Sequence, residues 1–229
     1  NATKLLACSR QAADWLFRKN KEKANIIHNG IECSKFLYSS EVRREVRGEL
    51  GLSQDEVVLG HVGRFNEQKN HADLLRIFAD YRKAYPNATL LLVGDGPLRG
   101  QMEALARELH VADHVLFLGV RSDVHRLLQA FDMMVFPSLH EGLPVTLIEA
   151  QCAGVPCVIS DSITREVDMG LQLISFLPLH HPNQWVEEIN RRLSSRMFST
   201  ETNKALAERG YDIQEGSQRM QSMYLAMAR

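Results

Sequence analysis

Short apolar runs rich in β-branched residues recur along this chain with longer helix-period segments between them, and that alternation restricts the fold more than any other feature. The runs are Val57–Val62, Thr89–Val93, Val115–Leu118, Met133–Phe136, Val155–Ile159 and Leu171–Phe176. Several lack alternating polar residues, the pattern of strands buried on both faces of a parallel sheet. Between them, His71–Ala84 places Leu74, Ile77, Phe78 and Tyr81 on one face, and Leu98–Leu109 places Met102, Leu105, Ala106 and Leu109 on another. Pro97 is expected at the first helical position of the latter. Asp123–Ala130 and Val145–Ala153 continue the alternation, and helices around Asn183–Leu193, Thr200–Arg209 and Glu215–Ala228 close the chain. The predicted class is α/β, a Rossmann-like doubly wound parallel sheet.

The first thirty residues fit that domain poorly. Leu5–Ser9 and Gln11–Phe17 read as a strand and a helix, "IIHNGIE" as a turn, and Ser40–Leu50 as a polar helix. A lone strand and helix ahead of an α/β domain is the expected end of another domain, so the chain is expected to begin inside a larger protein; Asn1-Ala2 reads as an expression scar. With 229 residues, 45% of them hydrophobic, a real core can be buried. A net charge of −1 argues against a nucleic-acid binder, and the cluster Arg43, Arg44 and Arg47 reads as a solvated face. No apolar run approaches the roughly 18–20 residues of a membrane span, and no signal-peptide pattern opens the chain. Cys8, Cys33, Cys152 and Cys157 are too scattered for a disulfide framework and wrongly spaced for zinc or C-x-x-C chemistry. A cytoplasmic location with reduced thiols is expected.

Ligands of open α/β sheets bind outside the carboxyl ends of the strands, and "GRFNEQK", "GDGP", "GVRSD" and "PSLHEGLP" each follow a predicted strand. Arg64 and Lys69, five apart, are candidates to clamp an anion such as a diphosphate; alternatively they are solvated loop charges. In "GDGP", Arg99 stands at the third glycine position of the dinucleotide fingerprint, which leaves a tight turn as the simpler reading. No D-x-D pair occurs, so a diphosphate would be neutralised by protein cations and backbone N–H groups, with no metal required.

The stretch "HEGLPVTLIEA" sets Glu141 and Glu149 eight positions apart around a predicted helix start near Pro144. The N–H groups of Gly142, Leu143 and Val145 would lie at its N-terminus, where the dipole favours a phosphate. Glu149 would sit roughly 7–8 Å along the axis, and two ionised carboxylates on either side of the phosphates would suit sugar hydroxyls. On the simpler reading Glu141 complements the helix dipole and Glu149 pairs with a nearby cation.

In order, "GRFNEQK", "GDGP", "FLG", "FPSLHEGLPVTLIEA" and "AGVPCVIS" resemble the donor-binding half of the retaining glycosyltransferases of family four, closely over about Ile26–Asp161. The resemblance implies the C-terminal half of a two-domain GT-B fold. Residues 1–25 would end an absent acceptor domain, 26–33 form the hinge, 34–209 the Rossmann-like nucleotide-sugar-binding domain, and 210–229 a C-terminal helix. It assigns Arg64 and Lys69 to the donor diphosphate, Glu141 to the transferred sugar, Glu149 to the ribose, and backbone around Val120 and Arg121 to the base, with Gly63 opening the donor-binding set. Where the family usually has Lys-Gly, this chain has Lys69-Asn70. The implied enzyme moves a hexosyl unit from a UDP-, GDP- or ADP-sugar to a hydroxyl of a glycan or lipid-linked acceptor, with retention of configuration. Acceptor binding, and any membrane association, would belong to the absent domain. The tail "LISFLPLHHPNQW" resembles enzymes of exopolysaccharide or capsule assembly. A sugar-nucleotide epimerase of related architecture and a non-catalytic nucleotide-sensing module are the alternatives.

Overall fold

The computed structural model describes residues 4–193 and 201–227. Asn1 and Ala2, with Thr200 and Ala228 at two predicted helix ends, lie outside the described residues. At the start, strands β1 (Leu5–Ala7) and β2 (Ala24–Ile26) pair in parallel across helix α1 (Arg10–Phe17) as a small separate sheet. β2 is absent from the sequence reading, because three residues carry no measurable periodicity. Ser9, expected in the first strand, instead caps α1, its side chain accepting the Ala12 N–H.

The main sheet comprises β3 (Val57–Val62), β4 (Ala88–Val93), β5 (Val115–Gly119), β6 (Met133–Phe136), β7 (Cys157–Ser160) and β8 (Ile174–Leu177). Their spatial order is β5-β4-β3-β6-β7-β8, every neighbouring pair parallel. The winding direction reverses between β3 and β6, which opens a crevice at their carboxyl ends. Successive strand residues feed two cores. Val58, Val62, Leu91 and Val93 pack toward the layer of α2 (Ser40–Glu49), α5 (Val124–Ala130), α6 (Val145–Cys152) and α8 (Glu201–Glu208). Leu59, Leu90 and Leu92 pack toward α3 (His71–Ala84), α4 (Arg99–Glu108) and α7 (Pro182–Arg192), which brings in the fully buried Trp185. A last helix, α9 (Ile213–Met227), follows. No helix among the described residues is long and apolar enough to cross a membrane.

Gly60 looks like a weak point in β3, yet the Phe131 ring occupies its face, 2.0 Å from where a β-carbon would stand. That close approach seats the entry to β6 against β3 and so shapes the switch point. Arg43 and Arg47 are not a solvated face. Arg47 is wholly buried and donates to Asp132 Oδ2 at 2.6 Å and to the carbonyls of Ser53, Gln54, Glu56 and Ala130, while Arg43 takes Asp132 Oδ1. The pair ties α2 to the start of β6, a partnership that spacing alone could not reveal; Arg44 stays exposed. Two strands start later than predicted. Pro156 offers no N–H to the ladder, and Gln172 turns the chain with φ +56°. α4 begins at Arg99 with Leu98 as its cap, so Pro97 lies before the cap and not at the first helical position.

Candidate functional site

Three loops leave the carboxyl ends of β3, β5 and β6. The β3 loop rests on the β4 loop: the Gly63 N–H donates to Val93 O, the Phe65 N–H to Asp95 O and the Leu98 N–H to Phe65 O. A β-carbon on Gly94 would stand 2.1 Å from Gly63 O, and one on Gly96 2.5 Å from Phe65 O. The two glycines of "GDGP" therefore permit loop-on-loop packing, which seats Gly63 and Arg64. Arg64 itself is exposed and makes no side-chain hydrogen bond or ion pair among the described residues.

Next comes a 3-10 turn over Glu67–Lys69, capped by Asn66, whose side chain accepts the Lys69 N–H at 3.1 Å. Asn70 then adopts the left-handed conformation, φ +52°, that the family's glycine would supply. It does more than a glycine could, because its Nδ2 donates to Asp73 at 2.8 Å and to Pro137 O at 3.1 Å. The β3 loop is thereby fastened to the β6 loop across the switch point. Leu139 N–H donates to Gln68 O at 2.8 Å. Gln68 Nε2 donates to His140 O at 3.0 Å and Glu141 Oε2 at 3.1 Å, and Lys69 Nζ lies 2.7 Å from Glu141 Oε1. The Lys69 and Glu141 side chains are only 16% and 7% exposed, and the ammonium also sits 4.7 Å over the Phe136 ring.

Residues read separately as the diphosphate cation and the sugar carboxylate thus form one ion pair in the free protein. Glu141 is paired with a cation and does not merely complement the helix dipole. Glu149, expected on the simpler reading to pair with a cation, has no ion pair or side-chain hydrogen bond among the described residues. It is half-buried, and burial raises its pKa. Helix α6 begins at Val145 with Pro144 as its cap, as expected, so the Val145 N–H has no intrahelical acceptor. Gly142 is exposed with open space on its face, and Leu143 packs partly against the core.

At the third loop, Gly119 turns the chain with φ +68° and Val120 stands 81% exposed. The Arg121 guanidinium is committed to Asp123, with contacts of 2.7 and 2.6 Å that hold the Asp123 carboxyl down at about 2. With the guanidinium so engaged, the loop presents its backbone and the exposed Val120 side chain to the crevice. Gln68 was missed by the sequence reading, since a loop glutamine carries no signal of its own. His61 and His71 were missed too. They pack beneath Lys69, His71 stacked on Phe65 at 4.1 Å and His61 on Phe136 at 4.7 Å. Burial first, then the nearby Lys69 charge, lowers His71 to about 4. A histidine inside the apolar run "VVLGHV" was the one available hint. Also unforeseen is Glu166, whose carboxylate accepts the Arg10 and Gln11 N–H groups and ties α1 to the loop after β7.

Chemically, the crevice offers a guanidinium with no partner among the described residues, a lysine shared with a carboxylate, a helix N-terminus for anions and two carboxylates that accept from hydroxyls. A family profile described as glycosyl transferases group 1 matches residues 42–212. The putative glycosyltransferase EpsF of Bacillus subtilis is 41% identical over 98% of this chain and 60% of its own length. An Escherichia coli enzyme, UDP-Gal:alpha-D-GlcNAc-diphosphoundecaprenol alpha-1,3-galactosyltransferase, is 31% identical over 61% of this chain and 37% of its own length. Among solved structures, Anabaena Alr3699/HepE in complex with UDP-glucose superposes with a TM-score of 0.84 over 98% of this chain and 64% of that one, at 20% identity, a likeness of fold. The sheet order, the motifs along its carboxyl edge and the extent of the profile match agree, and the chain belongs to the glycosyl transferases group 1 family.

Proposed function

We propose that residues 34–209 form the nucleotide-sugar-binding domain of a GT-B glycosyltransferase, with 1–25 belonging to its acceptor domain, 26–33 to the hinge and 210–229 to a C-terminal helix. The complete enzyme transfers a hexosyl unit from a UDP-, GDP- or ADP-sugar to an acceptor hydroxyl with retention, in polysaccharide assembly. The observation that carries this is the Lys69–Glu141 pair across the switch point, with Arg64 and Glu149, which have no side-chain partner among the described residues, on the same crevice. The similarity of fold to HepE, which was crystallised in complex with UDP-glucose, supports the donor class.

In this reading Arg64, Lys69 and the α6 N-terminus stabilise the negative charge that grows on the leaving diphosphate, the point where preorganised electrostatics lower a barrier most. Because protein cations supply that charge, no metal is required. Glu149 accepts from the ribose and Glu141 from the sugar, while backbone around Val120 and Arg121 borders the base. Since the acceptor site lies on the other domain, this chain binds donor without transferring it.

The test is ligand-observed NMR with UDP-, GDP- and ADP-sugars, with and without EDTA, followed by a transfer assay with the acceptor domain supplied and the product's anomeric configuration read. EDTA-insensitive donor binding and a retained configuration are expected. Inverted product would remove the retaining assignment, and loss of binding in EDTA would remove the metal-free one.

A further inference from the structure

We infer that Gln68 is a positioning residue for Glu141, holding the carboxylate in place while Lys69 engages the diphosphate. The inference rests on the donor site proposed above.

Both donors to the Glu141 carboxylate come from one short turn, but they differ in kind. Lys69 reaches Oε1 with a charge at the end of a flexible stem; an arriving diphosphate competes for that charge, and the ammonium can turn toward it. Gln68 is neutral, so the diphosphate has no comparable hold on it. It is also fastened twice to the neighbouring loop, by the Leu139 N–H on its own carbonyl and by its amide on His140 O. Its bond to Oε2 therefore survives when Lys69 is shared. Without that bond a nearly buried carboxylate would meet the diphosphate with one oxygen undonated and the other losing its cation, and would turn away from the sugar. The residue requirement is a donor without a negative charge. A carboxylate at position 68 would face two acceptors, Glu141 Oε2 and His140 O.

The inference separates the sugar from the nucleotide. In calorimetric titrations of the 229-residue chain with UDP and UDP-glucose, the ratio of the two Kd values measures what the sugar adds. Gln68→Met should leave the UDP Kd within about twofold and shrink that ratio by about tenfold, the scale of one hydrogen bond to a charged group. Gln68→Glu should remove the sugar's contribution altogether, and Gln68→Lys, which restores a donor, should recover most of it. A thermal midpoint for each variant reports whether the loop still folds. An unchanged ratio in Gln68→Met overturns the inference and leaves the donor site standing, as does equal weakening of both ligands, the mark of a merely structural role. Failure of the parent chain to bind either ligand overturns the inference and the donor site together.

Discussion

Glu141→Gln is the perturbation that best separates a resting ion pair from a working site. In the free protein the Glu141 carboxylate compensates the Lys69 charge at 2.7 Å, in a contact mostly withdrawn from water. Glutamine keeps the shape and can still accept from Lys69, but it leaves the ammonium without a counter-charge. Breaking a buried pair typically costs about 3–5 kcal/mol. Because the Lys69 side chain is 16% exposed and retains an acceptor, the loss here should be about 3 kcal/mol, measurable by urea unfolding. The same change should help a diphosphate, which no longer competes with a carboxylate for Lys69 and no longer meets its charge. A charge-assisted hydrogen bond is worth about 1.5–3 kcal/mol, and since the unpaired lysine recovers part of it from solvent, UDP should bind about three- to tenfold more tightly. The gain should shrink in high salt. Lys69→Met should weaken UDP, and Lys69→Met combined with Glu141→Gln should show no gain. If Glu141→Gln leaves UDP affinity unchanged or lowers it, Lys69 is not the diphosphate cation and the reasoning fails.

Three other expectations concern single residues. Burial raises the pKa of Glu149, so its ionised form opposes folding: the penalty is absent below the unfolded carboxyl range and grows as pH rises from there. Glu149→Gln should therefore be more stable than the parent at pH 7, with the difference fading toward pH 4, while Glu149→Ala weakens UDP; equal stability at both pH values would contradict this. His71 has the opposite sign, since its folded pKa of about 4 lies below the unfolded 6.5. Stability should be full above pH 6.5 and fall by about 3 kcal/mol as pH drops toward 4, a loss that His71→Phe reduces in denaturant titrations. Gly96→Ala should cost about 1–3 kcal/mol and weaken UDP by pushing on the backbone that carries Arg64, whereas Gly100→Ala, with open space around it, should stabilise α4 by roughly 0.5–1 kcal/mol.

The inner strands β3, β4, β6 and β7 were legible because burial on both faces writes itself as apolar runs, while the half-buried edge strand β8 was placed less well. Helix α6 was legible because proline and glycine punctuate its start. What stayed hidden depends on distant residues meeting. Lys69 and Glu141 are individually unremarkable charges, 72 positions apart, and only the β3-β6 adjacency makes them a pair. Gln68 and Asn70 acquire roles only once the β6 loop is beside them, and Arg47 turned inward because Asp132 waits at the start of β6. The "GDGP" motif illustrates the converse. Its glycines look like a phosphate loop, yet their conformation and close contacts belong to the packing of one loop on another.

Backbone amide NMR of the 229-residue chain titrated with UDP-glucose shows where a nucleotide sugar sits. Shifts are expected to concentrate at Gly63–Lys69, Val120–Arg121 and Gly142–Glu149, on three loops that only the sheet order brings to one edge. Shifts confined to the cavity of about 510 Å³ lined by Leu6, Ile27, Gly30, Gly216 and Met220, or no shifts at millimolar ligand, would contradict the donor site.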